Sequence, residues 1–473
     1  MNNLDATALI KAGRAVNEPF QLAIQKDGEG PSYISIEKVL RLLPGRRIVA
    51  LAKQNDRKFL VKLFIGRAAR RYANREVRGV LAIEDASVRT PFFEWRARLK
   101  SGGGEILAFE YIEGASNLID EWRKADSELK INLMQEVIPE LARLHESGVV
   151  QKDIHPENFL IQSNRIYTID GGHVTRRYQL SKAQSLDNLA LFLAQFHSRD
   201  DELIPDLLSV YEVARGWPSH SQRLDELKDR VSWHRKLRKK NHIAKAFRDC
   251  TRFSCQKGFS RFVICERSFD LPAVREILND PDQAIHHGKL LKRGNSATVS
   301  MIGSELGPLV IKRYNIQGYG HLLTRLFRKS RAWTSWANTF RLEFLGINTL
   351  KPVALIEERI GPLRGRAYLI TQYVAGDDAT ALIDRKNPDA EVLSIAQIIN
   401  GMKAAGVSHG DLKASNFLLT EEGAVIIDLD SMKEHSRMEI REKAEIRDRQ
   451  RFLRNWSSAP SLEKRFADLL ESS

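Results

Sequence analysis

Two stretches of the chain repeat one succession of hydrophobic and polar positions. In "LMQEVIPELARLHESG" and "VLSIAQIINGMKAAG" apolar residues recur at spacings of three and four, and a glycine closes each stretch. This periodicity predicts two helices. After them, "FLIQSNRIYTID" and "FLLTEEGAVIID" each hold two short apolar runs around a polar turn, which predicts a β-hairpin in each place. The same helix and hairpin are therefore expected twice.

The loops between the predicted helix and hairpin carry matching polar residues. They read "GVVQKDIHPENFL" from Gly148 and "GVSHGDLKASNFL" from Gly406, 258 residues apart. In each copy an Asp is followed after five residues by an Asn, and after twelve more by a second Asp. These residues are Asp153, Asn158 and Asp170 in the first copy and Asp411, Asn416 and Asp428 in the second. A period this long indicates a duplicated domain.

The Asp, Asn and Asp at this spacing predict phosphoryl transfer from ATP. A hydroxyl nucleophile needs a carboxylate that accepts its proton, and Mg2+ on the phosphates prefers hard oxygen ligands. In protein kinases the first Asp is the base, and the Asn and the second Asp bind the metal. We therefore assign the base to Asp153 and Asp411, and the Mg2+ ligands to the Asn and the second Asp of each copy.

A nucleotide site also needs a Lys that reaches the phosphates from a β-strand. Lys62 lies in "FLVKLF" and Lys312 in "LVIKRY", and both follow a predicted strand, turn and strand. The preceding turns, "LLPGRR" and "LKRGNSATV", have single glycines, Gly45 and Gly294, which allow the backbone to approach phosphate closely. Ser296 is expected to add a phosphate hydrogen bond.

The Lys of such a site is normally held by a glutamate on the next helix. In the first copy, "RRYANREVRGVLAIEDA" offers Glu76, and Glu84 is less suitable. In the second copy, "SRAWTSWANTFRLEFLG" offers Asn338 and Glu343, and neither is a clean counterpart. Backbone groups around residues 110–112 and 372–374 are expected to form the hinges that bind adenine.

The charge of the chain predicts an anionic partner. The chain has 473 residues, which suggests two or three domains, and it carries 74 basic and 60 acidic residues for a net charge of +14. Such an excess indicates phosphate, an anionic membrane surface or nucleic acid. No nucleic-acid module is recognisable in the sequence, so we expect no nucleic-acid partner.

The sequence predicts neither a membrane span nor a signal peptide. No apolar run approaches the roughly 18–20 residues that cross a bilayer. The start, "MNNLDATALIKAGR", lacks a basic segment followed by an apolar one. We therefore expect a cytoplasmic protein, with peripheral contact to an anionic inner membrane as an option. The cysteines, Cys250, Cys255 and Cys265, are expected to be free thiols.

With these residues assembled, the chain resembles the bacterial lipopolysaccharide core kinase family, the Kdo and heptose kinases with a protein-kinase-like fold. The second copy carries the resemblance through "LKRGNSATV", "LVIKRYN", "VSHGDLKASNFLL" and "VIIDLDSM". The first copy carries it through "FLVKLF", "LHESGVVQKDIHPENFLI" and "IYTIDGGHV". The resembling segments lie outside residues 220–285.

The resemblance implies an α+β fold of two tandem protein-kinase-like domains, each with a small β-rich N-lobe and a mainly helical C-lobe. We expect these domains at residues 1–220 and 285–473, with a basic helical connector or C-lobe extension at 221–284. The implied reaction is ATP- and Mg2+-dependent phosphorylation of a sugar hydroxyl, on heptose or Kdo. The implied acceptor is the lipopolysaccharide core on lipid A, at the inner face of the cytoplasmic membrane.

Both copies depart from the protein-kinase pattern. In the first copy, Gln151 stands where a His usually precedes the base, and a Gly-Gly pair follows the second Asp. His155 stands where the second copy keeps Lys413, a position that commonly steadies the transferred phosphoryl group. In the second copy, Asp430 extends the second Asp to Asp-x-Asp and is expected to support the site.

Alternatives to two active kinase domains stay open at this point. In one alternative, one domain is an inactive pseudokinase that regulates the other. The first copy is then the better candidate for the inactive domain, although the second copy lacks a helix glutamate. Another alternative is a small-molecule or protein acceptor. For the basic stretch "VSWHRKLRKKNHIAKAFRDCTRF" three interpretations are open: an amphipathic helix at a membrane surface, a packed helix with a solvated basic face, and, least favoured, a nucleic-acid-binding segment.

Overall fold

The structure, a computed structural model, describes residues 2–101, 103–315, 329–361 and 363–471. The chain divides into two units, Met1–Lys236 and Leu237–Ser473. In each unit most of the strands come first and the longer helices of the core follow them. The α+β class predicted from the sequence is therefore confirmed. The division into residues 1–220, 221–284 and 285–473 stays a prediction.

The first unit begins with a mainly antiparallel sheet. The strands of this unit are β1 (Asn2–Leu4), β2 (Phe20–Lys26), β3 (Pro31–Leu43), β4 (Arg47–Gln54), β5 (Arg57–Ile65), β6 (Phe93–Leu99), β7 (Gly104–Glu110), β8 (Ser116–Asn117), β9 (Val149–Gln151), β10 (Phe159–Gln162), β11 (Arg165–Thr168) and β12 (Val174–Arg176). The large sheet has the order β1-β2-β3-β4-β5-β7-β6, and β6 also pairs with β2. Buried and half-buried positions alternate along β4, so one face of the strand packs on the core.

The helices of the first unit include one, the last, that continues past Lys236 into the second unit. They are α1 (Ala6–Ala12), α2 (Ala69–Asp85), α3 (Leu118–Lys124), α4 (Ser127–Glu146), α5 (Lys182–Leu193), α6 (Ile204–Ala214) and α7 (Ser221–Lys245). The helix α4 begins because the Asp126 carboxylate accepts the amide of Leu129 at 2.9 Å, as a helix cap does. It ends just before Gly148, whose φ of 73° favours glycine. This is the helix predicted before the first loop.

The second unit has a sheet of similar design. Its strands are β13 (Phe253–Lys257), β14 (Arg261–Glu266), β15 (Lys289–Arg293), β16 (Ala297–Ile302), β17 (Leu309–Tyr314), β18 (Pro352–Ile360), β19 (Leu363–Gln372), β20 (Asp377–Asp378), β21 (Val407–Ser408), β22 (Phe417–Thr420), β23 (Gly423–Ile426) and β24 (Lys433–Glu434). The large sheet has the order β13-β14-β18-β19-β17-β16-β15. Its first two strands come from the stretch that the sequence predicted as a connector.

The helices of the second unit pack in more than one apolar cluster. They are α8 (Pro272–Asn279), α9 (Pro281–His287), α10 (Arg331–Leu345), α11 (Asp389–Ala404), α12 (Met438–Leu453) and α13 (Pro460–Glu471). The helix α11 is the one predicted before the second loop. Its buried residues, among them Val392 and Ile395, pack with Phe417 of β22 and with Phe452 of α12. Leu412 and Ala414 of the repeated loop belong to the same apolar cluster, which holds the loop in place.

The two predicted hairpins are confirmed, with the same register in both units. In the first, β10 pairs with β11 from Phe159 opposite Thr168. In the second, β22 pairs with β23 from Phe417 opposite Ile426. Because the second Asp follows two residues after each of these strand ends, the pairing brings it back beside the Asn that starts the hairpin.

The basic stretch after the first unit's core forms the end of α7 and the turn that follows it. The residues Leu227, Val231 and His234 of α7 are buried. Its Arg235 pairs with Asp201 within the first unit, and its Lys239, already part of the second unit, pairs with Glu434 of that unit. The helix is thus packed on one side, which favours the interpretation as a packed helix with a solvated basic face. In the described part of the chain, no helix is both long enough and apolar enough to cross a membrane.

Candidate active site

In each unit the Asn of the repeated loop bonds back to the first Asp. The Asn158 Nδ2 donates to the Asp153 carbonyl at 3.0 Å, and the Asn416 Nδ2 donates to the Asp411 carbonyl at 2.9 Å. This bond spans five residues and closes the loop before the hairpin begins. The spacing seen in the sequence is therefore the spacing that the loop needs.

The second Asp of each copy has an uncommon backbone conformation. Asp170 and Asp428 have φ values of 70° and 63°, in the left-handed region that residues with a Cβ seldom adopt. Such strain costs about 1–3 kcal/mol and is concentrated at functional sites. The amide just before each Asp, of Ile169 or Ile427, donates to the carbonyl of the Asn at 2.8 and 2.9 Å. Both units therefore hold the second Asp beside the Asn.

In the first unit a buried ion cluster forms around Lys62 of β5. The Lys62 Nζ contacts Glu76 of α2 and lies 3.5 Å from the Asp170 Oδ1. Glu76 also accepts the amide of Gly171 at 3.1 Å, which ties α2 to the loop after the hairpin. The Arg47 Nη1, at the start of β4, lies 3.7 Å from the same Asp170 Oδ1. Two cations therefore converge on one carboxylate oxygen.

These cations decide the protonation of Asp170. Burial by itself raises the pKa of the Asp170 carboxyl, but Lys62, Arg47 and His173 attract its negative charge and lower the pKa below its usual range. The carboxylate therefore stays ionised at neutral pH.

A glycine makes room for the glutamate of the first unit. A Cβ at Gly172 would lie 2.8 Å from the Glu76 Oε2, closer than real side chains approach. Beside it, a Cβ on Gly79 of α2 would lie 1.9 Å from the carbonyl oxygen of Gly171. The Gly-Gly pair, which the sequence marked as a departure from the kinase pattern, therefore lets α2 approach and lets Glu76 reach Lys62.

In the second unit the carboxylate near Lys312 comes from the loop instead. The Lys312 Nζ of β17 lies 2.6 Å from the Asp428 Oδ1 and 3.8 Å from the Asp430 Oδ2. Arg331, the first residue of α10, donates to the Asp430 Oδ2 from Nη2 at 2.6 Å and from Nε at 3.0 Å. The Asp430 side chain is 5% exposed. Asp430 thus occupies a position between the two cations, and it lies 258 residues after Gly172.

Lys312 stays charged in this setting. Burial lowers its pKa, but Tyr314, Asp428 and Asp430 raise it further, and the net pKa of the ammonium lies above its usual value. The Tyr314 ring is also 5.0 Å from the Lys312 Nζ and 5.1 Å from the Arg331 guanidinium, a distance at which cations are attracted to the ring face.

The two residues that the sequence offered as helix partners of Lys312 lie elsewhere. The Asn338 Nδ2 donates to the carbonyls of Leu429 and Met432, at 2.8 and 3.0 Å. Glu343 pairs with Arg252 and His242. Asn338 therefore fixes the loop that carries Asp430, and Glu343 fixes the entry of the chain into the sheet.

The predicted bases have different surroundings in the two units. Asp411 lies 3.2 Å from the Lys413 Nζ and 3.0 Å from an Arg451 nitrogen, and its side chain is 33% exposed. The Asp153 side chain is 78% exposed, and its recorded ion pair is with the His173 Nδ1 at 3.9 Å. The second unit therefore holds its carboxylate between two cations, whereas the first unit leaves it largely in solvent.

Gln151 makes the same hydrogen bond as the His that it replaces. The Gln151 Nε2 donates to the carbonyl of Ile169 at 3.0 Å, and the His409 Nε2 lies 3.0 Å from the carbonyl of Ile427. In the second unit the carboxylate of Asp448 also accepts the amide of His409 at 2.6 Å. The departure at Gln151 thus preserves the bond that positions the second Asp.

A cavity joins the predicted nucleotide-binding residues in each unit. The first measures about 350 Å³ and the second about 480 Å³, within the size range of small-molecule sites. The first is lined by Arg47, Lys62, Glu76, the hinge residues Glu110, Tyr111 and Ile112, Asn158 and Asp170. The second is lined by Gly294, Ser296, Lys312, Arg331, the hinge residues Gln372, Tyr373 and Val374, Lys413, Asn416 and Asp428.

Some predicted site residues lie outside these cavities. Asp153 and Asp411 are not among the described residues that line them, but each is bonded to an Asn that is. Gly45 is also absent from the described lining of the first cavity, where Arg47 lies instead. Gly45, with a φ of 65°, lies in the turn between β3 and β4, and its contact with phosphate stays a prediction.

The second cavity offers the donor set that Mg2+ prefers. The Asn416 amide donates through Nδ2 to the loop, which leaves its Oδ1 as an acceptor, and Asp428 contributes ionised carboxylate oxygens. Mg2+ uses one or two protein carboxylates and completes its shell with phosphate and water. Among the described residues, no group of three or more His, Cys, Asp or Glu side chains is placed to hold a metal.

Four residues of these sites were missed from the sequence. Arg47 follows a turn glycine and was counted with the turn, and Arg331 was not distinguished from the helix that it begins. Asp448 and Arg451 lie on α12, nearly forty residues after the loop that they contact. The sequence around α12 is rich in charge throughout, so no local pattern separates these two from solvated positions.

Comparisons with known proteins bear on the second unit. Residues 316–471 match the family described as the Lipopolysaccharide kinase (Kdo/WaaP) family, so the resemblance predicted from the sequence is confirmed for that segment. It contains Asp411, Asn416 and Asp428 but begins four residues after Lys312. The match supports a phosphotransferase. The duplication of the kinase-like domain stays a prediction.

A second match is shorter. The chain is 33% identical over 67 residues to the KEOPS complex subunit Bud32 of Pyrococcus abyssi (strain GE5 / Orsay), a segment that is 14% of this chain and 30% of that protein. The chain therefore spans less than a third of the length of this relative. What that protein does is consequently no guide to the whole chain.

Proposed function

We propose that this chain, whose residues 316–471 match the lipopolysaccharide kinase family, transfers the terminal phosphate of ATP to a sugar hydroxyl, on heptose or Kdo, in the lipopolysaccharide inner core. The second unit is the proposed site of reaction. One observation carries the proposal: Lys312, Asn416 and Asp428 line a single cavity, and Asp411 is bonded to that Asn at its edge. This is the arrangement that phosphoryl transfer requires.

The residues of the second unit divide the work as follows. Backbone groups of residues 372–374 receive the adenine, and Lys312 binds the phosphates. Asp411 accepts the proton of the sugar hydroxyl, and the oxygen of that hydroxyl forms a bond to the γ-phosphorus of ATP. The bond between this phosphorus and the oxygen that bridges it to the β-phosphate breaks, and ADP is released. Lys413, 3.2 Å from Asp411, orients this base and steadies the transferred phosphoryl group.

Magnesium fits the second site through Asn416 and Asp428. When bound, the ion would neutralise the charge of the β- and γ-phosphates. The chain keeps Asp428 ionised for this purpose, because Lys312 and Arg331 hold the pKa of the Asp428 carboxyl below its usual range even though burial alone raises it.

For the first unit, the tandem interpretation assigns the same roles to Lys62, Asn158, Asp170 and Asp153. A second candidate function has a specific observation in its favour: the predicted base Asp153 is 78% exposed, and the position of Lys413 is taken by His155. A base that lies in solvent has little hold on a substrate hydroxyl. We therefore favour a first unit that binds nucleotide and regulates the second, which is the pseudokinase alternative.

The proposed acceptor is bound to a membrane. A lipopolysaccharide precursor is anchored in a membrane, so the proposal places the chain at the inner face of the cytoplasmic membrane during the reaction. A small-molecule or protein acceptor would use the same cavity and the same base. Only the acceptor itself separates these alternatives.

The deciding experiment is mass spectrometry of core oligosaccharide from cells with and without the gene, joined to an assay with purified full-length protein. We expect the cells without the gene to lack a phosphate on heptose or Kdo, and the purified protein with ATP to restore it. Phosphate transfer to other acceptors with unchanged core oligosaccharide would refute the lipopolysaccharide substrate. Absence of transfer to every acceptor would refute the kinase itself.

A further inference from the structure

The first cavity contains a cation that has no equivalent in the turn of the second unit. Arg47 follows the turn between β3 and β4, lines the cavity and lies 3.7 Å from the Asp170 Oδ1. Its side chain is 14% exposed, so it belongs to the cavity wall. In the second unit the corresponding strand, β16, begins with the small residue Ala297. Its cavity is lined there by Ala297, Gly294 and Ser296, and the cation of that hairpin, Lys292, lies on the preceding strand β15.

The second unit also has an arginine at its site, but that arginine is already neutralised. Arg331 donates two hydrogen bonds to Asp430. The first unit has Gly172 in place of Asp430, and its other carboxylate, Glu76, is engaged by Lys62 and by the Gly171 amide. Among the described residues, the recorded carboxylate partner of Arg47 is therefore Asp170, the residue that would bind metal.

This geometry opposes Mg2+ in the first cavity. A magnesium ion needs carboxylate oxygens at about 2.0–2.1 Å, and the Asp170 Oδ1 faces an arginine, Arg47, in addition to Lys62. In the second unit the lysine also contacts the Asp, but the arginine is bonded to Asp430 instead. A divalent cation placed beside Asp170 would be repelled by both Lys62 and Arg47. A triphosphate without metal would be attracted by both, and the planar guanidinium matches two phosphate oxygens at once. The donor set of the first unit thus fits the metal poorly and fits the bare nucleotide well.

We propose that the first unit binds a nucleoside triphosphate without a metal ion, with Arg47 and Lys62 neutralising the phosphates in its place. The inference rests on the proposed function, since it takes the first cavity to be a nucleotide site. It goes further by making the occupancy of this unit independent of Mg2+, while the second unit requires the metal. The first unit then acts as a nucleotide-dependent regulatory site of the chain.

The test is calorimetric titration of the full-length protein with ATP, once with EDTA and once with Mg2+. We expect one ATP per chain in EDTA and a second when Mg2+ is present. Arg47→Gln should weaken the binding seen in EDTA by about tenfold or more, because a hydrogen bond to a charged group is lost. Arg47→Lys should retain most of it.

Matched variants assign the signal to one cavity. Arg46→Gln removes an exposed arginine of the same turn that is not among the described residues lining the cavity, and it should leave the binding in EDTA unchanged. Lys312→Met should remove only the Mg2+-dependent binding. Circular dichroism of each variant checks that the fold is retained.

Each remaining outcome overturns a defined statement. If the wild-type protein binds ATP only with Mg2+, or if binding in EDTA survives Arg47→Gln at unchanged affinity, the metal-independent site does not exist, and the kinase proposal for the second unit stands. If no ATP binds under either condition, the proposed function fails together with the inference.

Discussion

The two units build similar charge clusters from different elements. In the first, the helix α2 supplies the acid, Glu76, and the first residue of β4 supplies the additional cation, Arg47. In the second, the helix α10 supplies the cation, Arg331, and the loop after the hairpin supplies the acid, Asp430. The helix thus provides a negative charge in the first unit and a positive charge in the second, and the neighbouring strand or loop provides the opposite charge. In both units the lysine lies between two carboxylates.

The comparison shows that a carboxylate is needed at a given place near the lysine, and that the element which carries it can differ. A carboxylate must lie near the buried lysine, because an isolated buried charge is costly. It can arrive from the helix only if the facing loop residue has no side chain, and Gly172 meets that condition. Where the loop carries Asp430 instead, the helix needs no glutamate. In the second unit the kinase pattern predicts a carboxylate on the helix, whereas the structure places it on the loop, as Asp430.

The largest expected effect separates the two predicted bases. Asp411→Asn should lower the rate of phosphate transfer by about 10²–10⁴, the usual contribution of a general base, with little change in ATP affinity. Asp153→Asn, the matched variant of the other unit, should leave the rate within a small factor of the wild type. Initial rates with saturating ATP measure both. Equal losses in the two variants would indicate two active sites and remove the proposed division of labour.

Acid should destabilise the first unit through a buried histidine. Burial lowers the pKa of His145 from 6.5 to about 4. Between pH 4 and pH 6.5 this histidine is therefore protonated in the unfolded chain and neutral in the folded chain. Stability is therefore present above pH 6.5 and is lost as the pH falls toward 4, by up to about 3 kcal/mol. The second unit has Lys403 at the corresponding position.

Chemical denaturation at several pH values measures this loss. His145→Gln should flatten the dependence of the unfolding free energy on pH between about 4 and 6.5, whatever its effect at neutral pH. His287→Gln, at an exposed site of the second unit, serves as the control and should leave the slope as in the wild type. An unchanged slope in His145→Gln would show that another group carries the dependence.

The role of Gly172 can be tested by moving the acid. Gly172→Ala should destabilise the first unit by about 1–3 kcal/mol, because the added Cβ crowds Glu76. Gly30→Ala, where the added carbon meets no atom within 4 Å, should have a much smaller effect. Thermal or urea unfolding gives both values.

A double variant tests directly whether the helix and the loop are alternative sources of the acid. Gly172→Asp alone should be more damaging than Gly172→Ala, because it adds a second carboxylate beside Glu76. Adding Glu76→Ala should recover part of that loss, because the acid then comes from the loop as it does in the second unit. If the two substitutions simply add, the two carboxylates are not alternatives and the comparison between the units is wrong on this point.

The smallest expected effect concerns the Arg331–Asp430 pair. A double-mutant cycle with Arg331→Gln and Asp430→Asn should give a coupling of about 1 kcal/mol in stability, reduced because Arg331 is partly exposed. The readout is the free energy of unfolding of the four proteins. A coupling near zero would mean that Asp430 serves Lys312 alone.

The helix, loop and hairpin of each copy could be predicted from the sequence because each of them forms within one short segment. The helices α4 and α11 follow from a periodicity within one segment, and each hairpin from apolar runs around a turn. The five-residue bond from Asn to Asp closes within a single loop. The side chains of this loop were therefore predicted as a set, and the structure brings Asn158 with Asp170, and Asn416 with Asp428, into one cavity each.

What the sequence determined by itself was the repeated frame: two lysine-bearing strands, two loops and two hairpins at fixed spacing. Only the tertiary structure decided which charges complete each site, because Arg47, Arg331 and Asp448 reach it from elements far along the chain. Whether Glu76 or Asp430 can approach a lysine depends on whether a Cβ stands between a helix and a loop. That is a question of distances of a few ångströms, and no periodicity along the chain records it.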